Sequence, residues 1–286
     1  MKKLTDLKEL RLKANDIRED IIKSLYEAGS GHSAGPLGMA DVFTALFFNV
    51  AKIKPDQPEW PERDRILLSN GHICPVLYAS MAHAGYFPTE ELMTLRKLGS
   101  RLQGHPHRTS LPGLETTSGP LGSGTSQAAG IAKALKMNGT NEHVWCLTSD
   151  GEQQEGNTWE GAMFAAAYKL DNLTVIMDRN YIQIDGNTED IMALDPLDEK
   201  YRAFNWHVME VDGHNMEAVI DAMEKSKNQR EKPTLILANV IPGKGVKYME
   251  NDYTWHGNPP KTEEQLNDAL ADLAELRKSI EENKMS

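Results

Sequence analysis

Apolar residues recur along this chain with two alternating periods. Over residues 4–28, Leu7, Leu10, Leu12, Ala14, Ile17, Ile21 and Leu25 fall near one face of a 3.6-residue repeat, which predicts an amphipathic helix. A glycine loop follows, Gly29-Ser-Gly-His-Ser-Ala-Gly35, and residues 39–50 predict a second, strongly apolar helix. Short apolar runs bounded by turn residues predict strands over 65–68, 144–148, 173–177, 206–211 and 234–240. Between them, helices are expected over 73–84, 127–137, 159–170 and 216–227. Residues 99–126 read as loop, being rich in Gly, Pro, Ser and Thr, and residues 262–285 read as a charged amphipathic helix. Strands alternating with helices predict an α/β fold, a doubly wound parallel sheet with helices on both faces. With no internal repeat or low-complexity linker, residues 1–260 read as one domain and 261–286 as a charged helical tail.

Composition narrows the partners. The 286 residues are 40% hydrophobic and 26% charged, ordinary for a soluble globular protein. A formal net charge of -11 argues against nucleic acid as the main partner, since phosphate backbones need basic patches. A phosphorylated ligand is still possible, because a bound cation reverses the sign of one pocket. No signal segment and no membrane-spanning run is visible. Two cysteines, Cys74 and Cys146, give neither a disulfide framework nor metal-ligand spacing, so a cytoplasmic location is expected.

The chemistry gathers in loops. Asp150 follows one predicted strand and Asn180 the next, with a helix between them. In a right-handed βαβ unit both lie at the carboxyl edge of the sheet, where they can converge on one hard cation and hold a phosphate against it. Taken alone, Asp150-Gly151 is also a common turn, and Asp178 reads equally well as a turn cap. Five histidines sit beside glycine or proline: His32, His72, His105, His214 and His256. A single loop histidine reads as a turn residue with a local hydrogen bond; five together point to a ligand approached closely by backbone. His207, at a strand start, reads as structural, while His83, His107 and His143 carry no signal. Gly119-Pro-Leu-Gly-Ser-Gly124 opens an Ala-rich helix, where backbone donors can hold phosphate or a polar ring edge, or form a simple turn.

These motifs, in this order, resemble the N-terminal, diphosphate-binding region of transketolase across roughly residues 5–260. They include Ser-Gly-His at 30–32, Pro-Leu-Gly-Met-Ala-Asp at 36–41, Leu-Ser-Asn-Gly-His at 68–72 and Gly-His-Pro at 104–106. Thr-Ser-Gly-Pro-Leu-Gly at 117–122, Asp-Gly-Glu at 150–152, Glu-Gly at 155–156 and Asp-Arg-Asn at 178–180 continue the series. Ile-Asp-Gly at 184–186, Val-Asp-Gly-His-Asn at 211–215, Gly-Lys-Gly-Val at 243–246 and Trp-His-Gly at 255–257 complete it.

The resemblance implies the thiamine diphosphate-binding fold and transfer of a two-carbon ketol unit from a ketose phosphate to an aldose phosphate, with a role in pentose phosphate metabolism. It implies that Mg2+, or Ca2+ in its place, is held by Asp150, Asn180 and the backbone carbonyl of Ile182. Gly151, His72 and His256 would meet the diphosphate, and the Gly119-Pro120-Leu121 loop the aminopyrimidine ring. His32, His105 and His256 would line the substrate channel as catalytic residues, and Glu155 would face an interface between subunits. Residues 181–194, which lack a clear period, are expected to order on cofactor binding.

Three departures matter. Ser149 stands where the family has Gly, and Ser33 where it commonly has Pro. A complete transketolase is also more than twice as long. The missing portion carries the pyrimidine-binding domain, the glutamate that activates the cofactor and the basic residues that hold the sugar phosphate. The expectation is therefore an N-terminal subunit of a split transketolase, with a C-terminal subunit completing an α2β2 assembly. The starting Met and the polar end 281–286 read as natural termini, against a fragment of a longer chain. Alternatives are a subunit of another thiamine diphosphate enzyme, similar to deoxyxylulose-phosphate synthase or the 2-oxoacid dehydrogenase α chain, and a non-catalytic cofactor-binding paralogue.

Overall fold

The structure is a computed structural model and describes residues 3–283. Its strands are β1 (Arg65–Leu68), β2 (Val144–Ser149), β3 (Leu173–Arg179), β4 (Ile182–Gln183), β5 (Gly186–Asn187), β6 (His207–Asp212) and β7 (Thr234–Asn239). Its α-helices are α1 (Leu7–Ala28), α2 (Ala34–Ala45), α3 (Cys74–Ala84), α4 (Ser123–Met137) and α5 (Gly156–Ala167). After them come α6 (Thr188–Ile191), α7 (Leu197–Ala203), α8 (Met216–Asn228) and α9 (Glu263–Glu281). The five-stranded sheet runs β1-β2-β3-β7-β6, every pair parallel, as the alternation predicts.

Successive strand residues face opposite sides, and here they feed two cores. Trp145, Leu147, Ile176, Ile236 and Ala238 pack with α1, α2, α3, α8 and α9. Val144, Cys146, Val175, Met177 and Leu235 pack against α4, α5 and α7. The turns after β1, β2, β3 and β7 therefore emerge together at the carboxyl edge, where ligands of such sheets bind.

Several boundaries differ from the pattern-based expectation. The second helix begins at Ala34, inside the expected glycine loop, because Pro36 is tolerated in a first helical turn. Every residue of α2 is buried, so its glycines serve close packing: a Cβ on Gly38 would lie 3.0 Å from the Ile241 carbonyl oxygen. The helix ends in a wider turn over Leu46–Val50, with the Ala51 N–H bonded to the Leu46 carbonyl. Strand β3 continues to Arg179, since its pairing with β7 holds through Asn239.

Residues 181–194 form the β4–β5 hairpin and α6. The 3-10 turn Thr89–Thr94 and helix α7 carry no pattern strong enough to predict. Thr262 caps α9, which packs along α1 and buries Ala269, Leu273 and Ile280. The part of the expected tail helix beyond residue 283 lies outside the described residues. No described helix is long and apolar enough to cross a membrane.

Candidate functional site

A cavity of ≈ 310 Å³ opens at the carboxyl edge of the sheet. His32, His72, His105 and His256 line it, with Gly119, Leu121, Gly151, Glu155 and Ile182. His32 is delivered by the loop before α2, His72 by the turn after β1, and His256 by the segment after β7. The rings of His32 and His72 lie 4.8 Å apart, His72 and His256 5.3 Å, and His32 and His256 5.6 Å. His105 packs against the backbone of Gly71 and Gly119.

None of these four imidazoles makes a hydrogen bond within the described residues, and His32 Nδ1 and His256 Nδ1 are buried without a partner. Burial disfavours the imidazolium, pulling His32 down to about 3 and His256 to about 4. The charges of His256, Arg96 and His105 depress His32 further. His72 falls well below its ordinary value through burial and the neighbouring rings, and His105 is lowered by burial and then by Arg96. The cluster is therefore a set of neutral rings at neutral pH, able to accept or donate hydrogen bonds.

Asp150 is fully buried between Ser149 and Gly151, which both line the cavity. Its Oδ1 accepts the Gly151 N–H at 2.7 Å, and its Oδ2 accepts the Tyr181 N–H at 2.7 Å. Arg179, which pattern reading does not single out, donates to the same Oδ2 at 3.2 Å. It also binds Glu189 and Asp195, each at 2.9 Å, and stacks on Tyr181. Burial outweighs this cation and raises the Asp150 carboxyl to about 6. Asn180, 4% exposed, donates to Asp178 and accepts the Ile182 N–H at 3.0 Å. Its strand lies next to that of Asp150, with Ser149 and Asp178 paired in register.

Buried polar atoms without partners are rare, yet several collect at this edge: both side-chain atoms of Asn70, Ser118 Oγ and Asp178 Oδ2 join the two histidine nitrogens. Gly151 has only Gln183 near the position of a Cβ, at 3.5 Å, so a ligand can approach its backbone. One carboxylate, one amide oxygen and a nearby backbone carbonyl are hard oxygen donors suited to Mg2+ or Ca2+. Among the described residues no three His, Cys, Asp or Glu side chains cluster as a metal site; the expected ligand set contains only one of those types. Pro120 is exposed and does not line the cavity, although Gly119 and Leu121 do.

His214 does not join the cluster. Its Nδ1 lies 2.8 Å from Asp41 Oδ2, and its Nε2 accepts the Ile241 N–H at 2.8 Å, so the proton sits on Nδ1. Arg18 binds both oxygens of Asp41, at 3.3 and 2.5 Å. The Arg18 cation and the His214 bond overcome burial and hold the Asp41 carboxyl well below the usual range. Glu152 has no role legible in its Asp-Gly-Glu motif, yet it is 1% exposed and bonded to three chain segments.

Comparison with known proteins agrees with this geometry. The family model described as "Transketolase, thiamine diphosphate binding domain" matches residues 10–271. The chain is 43% identical over 265 residues to the 6-deoxy-6-sulfo-D-fructose transketolase subunit SqwG of Clostridium sp. (strain MSTE9), covering 93% of this chain and 96% of that one. It is 38% identical over 272 residues to an apulose-4-phosphate transketolase subunit of Phocaeicola vulgatus, covering 95% and 96% respectively. Human transketolase is 36% identical over 277 residues, but this chain spans only 44% of its length. The transketolase structure from Campylobacter jejuni superposes with a TM-score of 0.88 at 32% identity, covering 94% of this chain and 43% of that one. The chain belongs to the transketolase family and corresponds to its N-terminal, thiamine diphosphate-binding part.

Proposed function

We propose that this chain is the diphosphate-binding subunit of a two-chain transketolase and transfers a two-carbon ketol unit only when a C-terminal partner subunit completes the site. The observation that carries the reading is the convergence of four imidazoles, none hydrogen-bonded among the described residues, beside the buried Asp150–Gly151 turn. In this reading Asp150, Asn180 and the Ile182 carbonyl hold Mg2+ or Ca2+, and Gly151 lets the diphosphate approach the backbone. His72 and His256 meet the diphosphate, and the Gly119-Pro120-Leu121 loop approaches the aminopyrimidine ring through Gly119 and Leu121. Thiamine diphosphate, when bound, supplies the electron sink that lets the bond beside a ketose carbonyl break. His32, His105 and His256 bind substrate hydroxyls and move protons there; neutral rings suit that role, since each offers one donor and one acceptor.

Relatives named for 6-deoxy-6-sulfo-D-fructose and apulose-4-phosphate transketolases cover nearly the same span. They support a ketose with an anionic terminal group as the donor class. A partner is supported by apolar side chains left in solvent: Ile184, which lines the cavity, is 65% exposed, Met192 60% and Met163 56%. An α2β2 assembly follows the symmetry usual for such pairs.

The test mixes the purified chain with its candidate partner, thiamine diphosphate and Mg2+, and measures ketol transfer. Activity is expected only in the mixture; full activity of the chain alone overturns the two-chain reading. In Asp150→Ala, metal-dependent retention of thiamine diphosphate should fall by at least about 100-fold, more than typical losses outside the ligand shell. Unchanged retention would remove Asp150 from the metal site.

A further inference from the structure

The turn after β2 contains a second buried carboxylate beside Asp150. Glu152 is 1% exposed and forms no ion pair among the described residues. An uncompensated carboxylate in that position is costly unless its lone pairs are filled. They are filled by donors from three separate segments. Oε1 accepts the Gly122 N–H at 2.5 Å and the Ser69 hydroxyl, and Oε2 accepts the Ser149 N–H at 3.2 Å. Ser69 Oγ accepts the Gly124 N–H at 3.0 Å, adding a second tie to the same loop. All the groups meeting Glu152 are donors, and an ionised carboxyl is the side chain that only accepts.

The segments joined are those the site depends on. Ser69 leads into the turn that carries His72, Gly122 and Gly124 close the Gly119–Leu121 loop, and Ser149 precedes Asp150. There is little slack around them: a Cβ on Gly124 would lie 2.2 Å from Ser69 Cβ, and one on Gly122 2.9 Å from Glu155 Cβ, in the turn that carries Glu152.

We propose that Glu152 is a positioning residue that sets the spacing between the two ends of the cofactor site, clamping the Gly119–Leu121 loop to the Asp150–Gly151 turn. The inference rests on the thiamine diphosphate reading above for its ligand, but the clamp itself is a property of the chain. Loss of Glu152 frees the loop, whereas Asp150 keeps its own bonds to Gly151 and Tyr181. The ring end of the ligand should therefore be affected far more than the diphosphate end.

The experiment uses the full chain as Glu152→Ala and Glu152→Gln. Without ligand, the Gly122 amide in Glu152→Ala should exchange about tenfold faster or more, the loss expected for one buried hydrogen bond. Unchanged protection overturns the clamp. With Mg2+ and the candidate partner subunit present, calorimetry should find thiamine diphosphate weakened about tenfold or more and inorganic diphosphate by less than about threefold. Equal weakening of both ligands, or of neither, overturns the positioning role. If the Ala variant does not fold, Glu152→Gln carries the test. A carboxamide keeps one accepting oxygen, so exchange should accelerate at either Ser149 or Gly122, and no change at both overturns the proposal. If the unmodified chain binds neither ligand even with its candidate partner subunit present, the cofactor reading fails, and the Gly122 exchange still decides the clamp.

Discussion

Two kinds of histidine occupy this molecule in nearly identical sequence surroundings, each beside glycine. His32, His72, His105 and His256 enclose a cavity and bond to nothing in the described protein. His214 has both nitrogens engaged, by Asp41 and by the Ile241 amide. The difference separates a binding surface from a brace. Where every nitrogen is satisfied by the fold, the residue stabilises; where none is, the structure has left capacity for something else. Flanking glycine cannot distinguish the two, because it permits close backbone approach in both cases.

The comparison can be broken by substitution. His32→Ala should lower kcat/KM of the assembled enzyme by about 10²–10⁴, the range for losing a group that transfers protons. Its unfolding free energy should change by about 1 kcal/mol or less, since no protein hydrogen bond is lost. Urea denaturation showing a loss as large as that of a core residue would turn His32 into a second brace. Asp41→Ala should behave oppositely. Removing the carboxylate leaves Arg18 uncompensated and costs about 3–5 kcal/mol, read as a lower urea midpoint. Loss of activity with an unchanged midpoint would put His214 and Asp41 among the functional residues instead.

Acid sharpens the contrast with a smaller effect. By NMR, His32 and His256 should stay neutral from pH 8 to pH 5, their midpoints lying at about 3 and about 4. Because these folded values lie below the unfolded one, the unfolded chain takes up protons first. The contribution of each ring is complete above about pH 6.5 and is lost as pH falls toward its folded midpoint. The urea midpoint of His32→Ala should then change less between pH 7 and pH 5 than that of the unsubstituted chain. A midpoint near 6.5 for either ring would show that the cavity does not desolvate it.

The smallest expected change concerns residues 181–194. Hydrogen exchange there should slow when thiamine diphosphate and Mg2+ are added. Equal protection with and without them would mean that the Arg179 ion pairs already hold the hairpin.

What the sequence revealed follows from how local each signal is. The sheet is legible because runs such as Leu173–Met177 are apolar and short, and turn residues mark their boundaries. The convergence of His32, His72, His105 and His256 was legible only as a sum of motifs. By local sequence His214 belongs with them, because its partner Asp41 lies 173 positions away and nothing nearby announces it. Arg18 sits on the apolar face of α1, yet it is buried, since Asp41 neutralises it there. Glu152 and Arg179 stayed unread for the same reason: a charged residue in a motif looks solvated until its distant donors and acceptors are placed. The start of α2 departs from the pattern because its glycines and Pro36, breakers by residue type, serve close packing and a helical first turn.

That packing has a consequence for the mouth of the cavity. Gly38 lets α2 lie against the backbone at Ile241, and a single methyl group at that point would meet the carbonyl oxygen at 3.0 Å. Ahead of Gly38 the chain carries His32; beyond Ile241 it carries His256. The approach of these two segments behind the cavity is thus set by one hydrogen atom in place of a side chain. A side chain there would act as a wedge between α2 and the strand end that leads toward His256.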